Sequence, residues 1–121
     1  MAHRVEKVAA QLRAELSDIL SREMRDPRVG LASIVDVDVS PDLASARVHV
    51  SRLGSDEEHT AMMAALEHAR GYIRHELAER LRGNLRRVPE LRFVDDRNIE
   101  YATHISNVLR GLEPEEPDIE R

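Results

Sequence analysis

The chain has no cysteine, no tryptophan, a single lysine and only three aromatic residues in 121. Without cysteine, neither a disulfide framework nor a thiolate metal site is available. Tyr72, Phe93 and Tyr101 are too few for the stacking platforms of an RRM-like or OB-like base reader. No apolar run approaches the roughly 18 residues of a membrane span, and the opening MAHRVEKVAA has no signal-peptide core. A soluble, cytoplasmic protein is therefore expected. No GxSxG, P-loop or GxGxxG occurs, and none of the six histidines stands in an HExxH-type pair. His68 and His75, two turns apart, are read as surface helix histidines, and His49 as part of the hairpin's wet face. Neither catalysis, a metal nor a cofactor is called for.

What charge there is lies unevenly. The formal net charge of -5 argues against a nucleic-acid partner at first sight. Residues 113–121, however, carry five acids against one base, so the body is nearly neutral. Residues 70–92 carry seven arginines against Glu76, Glu79 and Glu90. Seventeen of the eighteen cations are arginine, with Lys7 alone, which favours forked phosphate contacts or, equally, reflects a preference for arginine codons.

The pattern of apolar residues orders the elements. Val5, Val8, Leu12, Leu16, Ile19 and Leu20 mark an amphipathic helix from about Arg4 to Met24, ended by Asp26-Pro27 with a turn at Gly30. From Ser33 to Arg52 the period falls to two. Val35, Val37 and Val39 alternate with Asp36 and Asp38, then Ala46, Val48 and Val50 with Arg47 and His49, around the turn Ser40-Pro41-Asp42-Leu43-Ala44. That is an antiparallel hairpin with one wet face. Ser55 and Glu58 have capping-box spacing. A long helix, about His59 to Gly83, follows, with its apolar stripe at Met62, Leu66, Ala69, Ile73, Leu77 and Leu81. A third strand, Glu90 to Asp95, turns Leu91 and Phe93 inward, and a last helix is expected from about Asn98 to Leu112, with Asp96 as its cap. The tail 113–121 is expected to be disordered, leaving one domain over 1–112. A right-handed crossover makes strands two and three parallel, hence an α+β fold with a three-stranded mixed sheet and helices on one face.

Gly71 stands in the middle of the long helix, where a good helix former would be more stable by about 1 kcal/mol. It serves either close packing, or a kink that lets another backbone approach. Arg70 and Arg74 flank it. These arginines fit phosphate and shape recognition, and they fit a solvated helix face paired with Glu67, Glu76 and Glu79. Asp95-Asp96 suggests a carboxylate pair, but neighbouring strand residues point to opposite faces.

The strand–helix–break–helix–strand order resembles a type II KH domain, with Ala69-Arg70-Gly71 where a GxxG loop is usual. That AxG form is similar to the bacterial ribosome-binding factor A family. Asp26-Pro27-Arg28, Val37-Asp38-Val39-Ser40-Pro41-Asp42-Leu43 leading into Ala46-Arg47-Val48, and Gly71-Tyr72-Ile73-Arg74 carry the likeness, and Leu85-Arg86-Arg87-Val88-Pro89-Glu90-Leu91-Arg92-Phe93 with Asp95 carries it most specifically. It extends over about Arg4 to Leu109.

The resemblance implies the order α-β-β-α-kink-α-β-α and a non-enzymatic, monomeric assembly factor away from membranes. Its implied partners are the small (30S) ribosomal subunit and 16S rRNA precursor, with ribosomal proteins or an assembly GTPase beside them. Its implied work is late 16S rRNA maturation, including 5′-end processing, and growth in the cold. It also implies that Ala69 and Gly71 make the kink, that Arg70 and Arg74 meet rRNA phosphates, that Arg80, Arg82, Arg86 and Arg87 extend the surface, and that Arg4 and Lys7 form a second one. The rivals are a protein–protein adaptor docking through the kinked helix, and a nuclease using Asp95 or Asp96.

Overall fold

The computed structural model describes residues 2–30, 32–97 and 109–111. The last expected helix lies almost wholly outside them, and the acidic tail entirely so. The order is α1 (Ala2–Asp18), a π-helical turn (Ile19–Glu23), a helical turn α2 (Pro27–Gly30), β1 (Ser33–Val39), β2 (Ser45–Ser51), α3 (Asp56–Arg80) and β3 (Glu90–Asp95). The sheet order is β1-β2-β3, with β1 antiparallel and β3 parallel to β2. No described helix is long and apolar enough to cross a membrane.

The core is one layer of side chains between the sheet and the helices. Leu12, Leu16 and Ile19 from the first helical stretch meet Met62, Leu66, Ile73 and Leu77 of α3 over Val48, Val50 and Leu91. Cross-strand register explains the buried face of the sheet. Val37 pairs with Val48, which pairs with Phe93, and Ala46 stands between Val39 and Leu91. The strict alternation read for β1 fails at its start, because the register shifts between Ile34 and Asp36. A bulge of this kind adds one residue, so Ile34 and Val37 are both buried although their parity differs.

Two boundaries differ from the sequence reading. The first helix does not run regularly to Met24 but widens into the π turn, which buries Ile19 and Leu20 side by side. Asp26-Pro27 does not simply end it either. Pro27 opens α2, where a missing N–H costs nothing, and the Asp26 carboxylate accepts from the Arg28 backbone N–H at 3.0 Å. The capping box at Ser55 is present: its hydroxyl accepts from the Glu58 N–H, and Glu58 accepts from the Ser55 N–H.

The largest correction concerns Gly71. The helix α3 continues unbroken through Ala69-Arg70-Gly71, so the two segments expected to meet near Arg70 are a single element of 25 residues. A helical glycine costs about 1 kcal/mol relative to alanine. That is small beside the burial of Met62, Ala65 and Leu66 before it and Ile73 and Leu77 after it, all held on one face by the sheet.

Electrostatics fasten the first helical stretch to α3. Arg80 donates to Glu15 at 3.0 Å, Asp18 at 2.7 Å and Glu23 at 3.0 Å, with its side chain only 21% exposed. Glu23 also accepts from the Tyr72 hydroxyl at 3.0 Å, which raises the phenol's pKa. The same clamp raises the Arg80 pKa and, chiefly through the Arg80 hydrogen bond, lowers that of Asp18. Asp26 is lowered to about 2 by the Arg28 guanidinium and backbone N–H.

Carboxylates held below their ordinary 3.8 stabilise the fold above that pH and lose the contribution as pH falls through their folded values. Thermal melts should therefore be flat from neutral pH to about pH 5 and fall between about 4 and 2. Arg80→Ala should cost roughly 2 kcal/mol at neutral pH, because it leaves three carboxylates facing one another, and should reduce the acid-dependent part. Equal melting curves for wild type and variant across that range would show the clamp to be idle.

Candidate nucleic-acid interface

The arginines of residues 70–92 divide into those engaged within the fold and those that are not. Arg70 donates to the Leu91 carbonyl at 3.2 Å and lies 3.6 Å from Glu67. Arg74 donates to the Val88 carbonyl at 3.2 Å. Arg80 sits in its carboxylate clamp, and Arg82, though exposed, is bonded to Glu79 at 2.6 Å. Arg86 and Arg87 are exposed and make no ion pair or hydrogen bond among the described residues.

Helix termination brings these groups together. Leu81 caps α3, and Gly83 takes a φ of +94°, a left-handed conformation that favours glycine. The Asn84 and Leu85 N–H groups return to the Leu81 carbonyl at 2.9 and 3.1 Å. The chain thereby turns back along α3, and the Arg74 bond to Val88 holds it there. Between helix and returning segment lies a groove of about 460 Å³. Gly71, His75 and Ala78, at i, i+4 and i+7 of α3, form its helical wall. Leu81, Leu85 and Val88 line its apolar part, and Arg74, Arg86 and Arg87 border it.

Gly71 opens onto that groove. A Cβ built there meets nothing within 4 Å, so the glycine is not required for packing inside the protein. Its backbone is helical, so no unusual conformation requires it either. Of the two readings offered by the sequence, close packing within the protein does not describe the position, and any bend there leaves the helix unbroken. What the glycine leaves is a smooth helix wall, open from outside.

The remaining predicted residues lie elsewhere. Ala69 is half-buried and packs against the core. Arg4 and Lys7 are exposed on α1 and do not line the groove. Sequence analysis reads His75 as a surface helix residue, which it is, and does not place it at the groove. Its spacing from Gly71, one helical turn, was the available signal.

Two other histidines are engaged within the fold. His59 is 1% exposed, and its Nδ1 lies 2.9 Å from the Asp95 carboxylate. His49, on the other sheet face, lies 3.5 Å from Asp38 and 3.4 Å from Asp96. Asp95 and Asp96 therefore diverge, each toward its own histidine, and do not form a carboxylate pair.

A model of the family described as ribosome-binding factor A matches residues 4–109. Ribosome-binding factor A of Chloroflexus aurantiacus is 42% identical over 113 residues, covering 93% of this chain and 88% of that protein. Its counterpart in a Roseiflexus species is 42% identical over 118 residues, covering 98% and 90%. The solution structure of a putative ribosome-binding factor A from Thermotoga maritima is similar at a TM-score of 0.68 and 33% identity, over 83% of this chain and 93% of that one. A Thermus thermophilus ribosome-binding factor A model, fitted into a cryo-EM map of a 30S–RbfA complex, has a TM-score of 0.61 and 31% identity, over 73% and 90%. On sequence, on length covered and on fold, the chain belongs to the ribosome-binding factor A family.

Proposed function

We propose that the protein is a non-enzymatic assembly factor that binds the small ribosomal subunit by holding rRNA along the groove beside Gly71. The observation that carries this reading is the conjunction at that groove: two arginines without a hydrogen bond or ion pair among the described residues face a helix wall from which a side chain is missing. Phosphate recognition needs uncommitted guanidinium groups and close approach to them, and both are found at this one place. The family's naming, and the 30S complex into which a relative was fitted, support the choice of partner. Assistance in late 16S rRNA maturation, including 5′-end processing, and a role in the cold belong to the same proposal, as do the cytoplasm as its location and the single chain as its working form.

The assignment of roles departs from the resemblance. Arg86 and Arg87 make the principal phosphate contacts. Arg74 contributes from a position that also holds the loop, and Arg70 orders the start of β3 through the Leu91 carbonyl. Arg80 acts within the fold. The acidic overall charge is no obstacle, because counterion release depends on the local contacts made, not on the net charge of the chain.

Sedimentation with purified small subunits tests this. Arg86→Glu with Arg87→Glu should weaken binding at least tenfold and make the dependence of log affinity on log salt shallower by about 1.5, with little change in melting temperature. Binding that is insensitive to salt, in wild type and double variant alike, would sink the RNA reading. Gly71→Ala separates stability from function in one substitution. It should raise the melting temperature by about 4 °C, since the helix gains a better former and no atom is displaced, while weakening subunit binding several-fold. A stabilised variant with undiminished binding would show that the open wall is not used.

A further inference from the structure

The sheet edge away from β3 is also open. Among the described residues, β1 pairs on one side only, with β2. The Ser40 N–H donates to the Ser45 carbonyl at 2.9 Å, which fixes the alternation along the pair. Asp36 and Asp38 thus direct their backbone groups toward β2, and Val37 and Val39 direct theirs toward the open edge. One side-chain contact agrees with this: the Val37 N–H is taken by the Asp36 carboxylate at 2.9 Å. Beside the edge lies a second groove, of about 580 Å³, walled on its far side by Ala10, Ala14 and Ser17 of α1. All three are small and exposed, so the wall is low. Independently of the RNA reading above, we propose that β1 takes an extended, basic segment of a partner protein as a fourth strand, with alternate side chains of that segment seated against the alanines of α1.

Three features of the edge select its occupant. The first is the backbone. Outward N–H and C=O groups in a row are matched by another extended chain, which takes its affinity from main-chain hydrogen bonds. The seven residues of β1 give room for a strand of ordinary length. The second is charge. Asp36, Asp38 and, across the groove, Glu6 are exposed, and Arg13 is the one cation lining that groove. Asp36 and Asp38 stand on the wet face two residues apart, so they meet lysine or arginine at alternate positions of an added strand. The residues between pass on the side of buried Val37 and the alanines, where modest apolar side chains fit. The third is what the edge refuses. A second copy of β1 would set these acids against acids, and the register shift between Ile34 and Asp36 distorts the edge further. A nucleic-acid strand would meet carboxylates where it needs cations. Of these occupants, only a basic peptide gains from the charges present.

Asp36 is the latch of the edge. In the free protein its carboxylate satisfies the Val37 N–H and blunts the strand against casual pairing. A cation on the incoming strand draws that carboxylate away and releases the donor to the partner's carbonyl.

The test uses the isotope-labelled full chain and a heptapeptide of alternating lysine and valine. At saturating peptide the exchange of the Val39 amide with solvent should slow at least tenfold, while the amides of Gly71, Arg86 and Arg87 keep their rates. The same peptide N-methylated at its valines, and a glutamate–valine peptide, should each bind about tenfold more weakly. Ala14→Leu fills the groove from an exposed position and should weaken the lysine–valine peptide about tenfold with an unchanged melting temperature. Asp36→Lys with Asp38→Lys should reverse the preference between the two peptides. If the methylated peptide binds as well as its parent, or bound peptide leaves Val39 exchange unaltered, the contact is charge alone and the proposal fails. It fails too if Val39 exchange slows with protein concentration alone, since the edge then belongs to a second copy, or if single-stranded RNA slows it and the peptide does not. Arg86→Glu with Arg87→Glu should leave peptide binding intact, which keeps failure here distinct from failure of the RNA reading.

Discussion

Everything on the binding side depends on how α3 is held on its other side. Met62, Leu66, Ile73 and Leu77 are fully buried against the sheet and the first helical stretch, and they leave the opposite face of the helix no packing role. Each large apolar side chain buried in this way contributes on the order of 2 kcal/mol. The stripe therefore carries the helix across Gly71 with stability to spare. A shorter helix, or one buried on a single side of the glycine, would fray or break there. Here the anchoring on both sides makes the glycine tolerable, and its freedom from internal contacts makes it available.

The second organising fact is the division of the arginines. Composition shows seven in residues 70–92 but cannot rank them. Arg80 joins three carboxylates from the first helical stretch, while Arg70 and Arg74 bind backbone carbonyls of the segment that leads into and begins β3. These three build the scaffold. Arg86 and Arg87, carried on the returning loop that Arg74 secures, are left to face outward. A charge read from sequence as one basic surface is in fact a layered structure, with inner arginines placing outer ones.

Local rules made much of the fold legible. The alternation of β2, the capping box at Ser55, the parallel pairing of β3 with β2 and the inward Leu91 and Phe93 each follow from a short stretch and one rule. What was not legible depends on contacts distant in sequence. The register shift in β1 answers to Val48 and Val50 across the strand pair. His59 is buried because Asp95, beside Val50 in the parallel register, comes under the start of α3. The continuity of α3 through Gly71 is likewise not legible locally, because the term that outweighs a propensity of about 1 kcal/mol is burial against a sheet. In the candidate site, Gly71, Arg74, Arg86 and Arg87 were already singled out, but the apolar interior and His75 needed the turn at Gly83 to bring loop and helix together.

The parallel pairing of β3 has a further consequence for the timing of assembly. The β1–β2 hairpin and α3 are built from contacts close in sequence, but β3 joins β2 across some forty residues, and such closures are slow. One wall of the groove belongs to α3 and the other to the segment that leads into β3. The groove's returning wall ends at Val88, just before β3, so seating that strand fixes the wall's far end. A ligand held there would bridge the helix and the segment that enters the strand, and so would stabilise the folded chain by its binding.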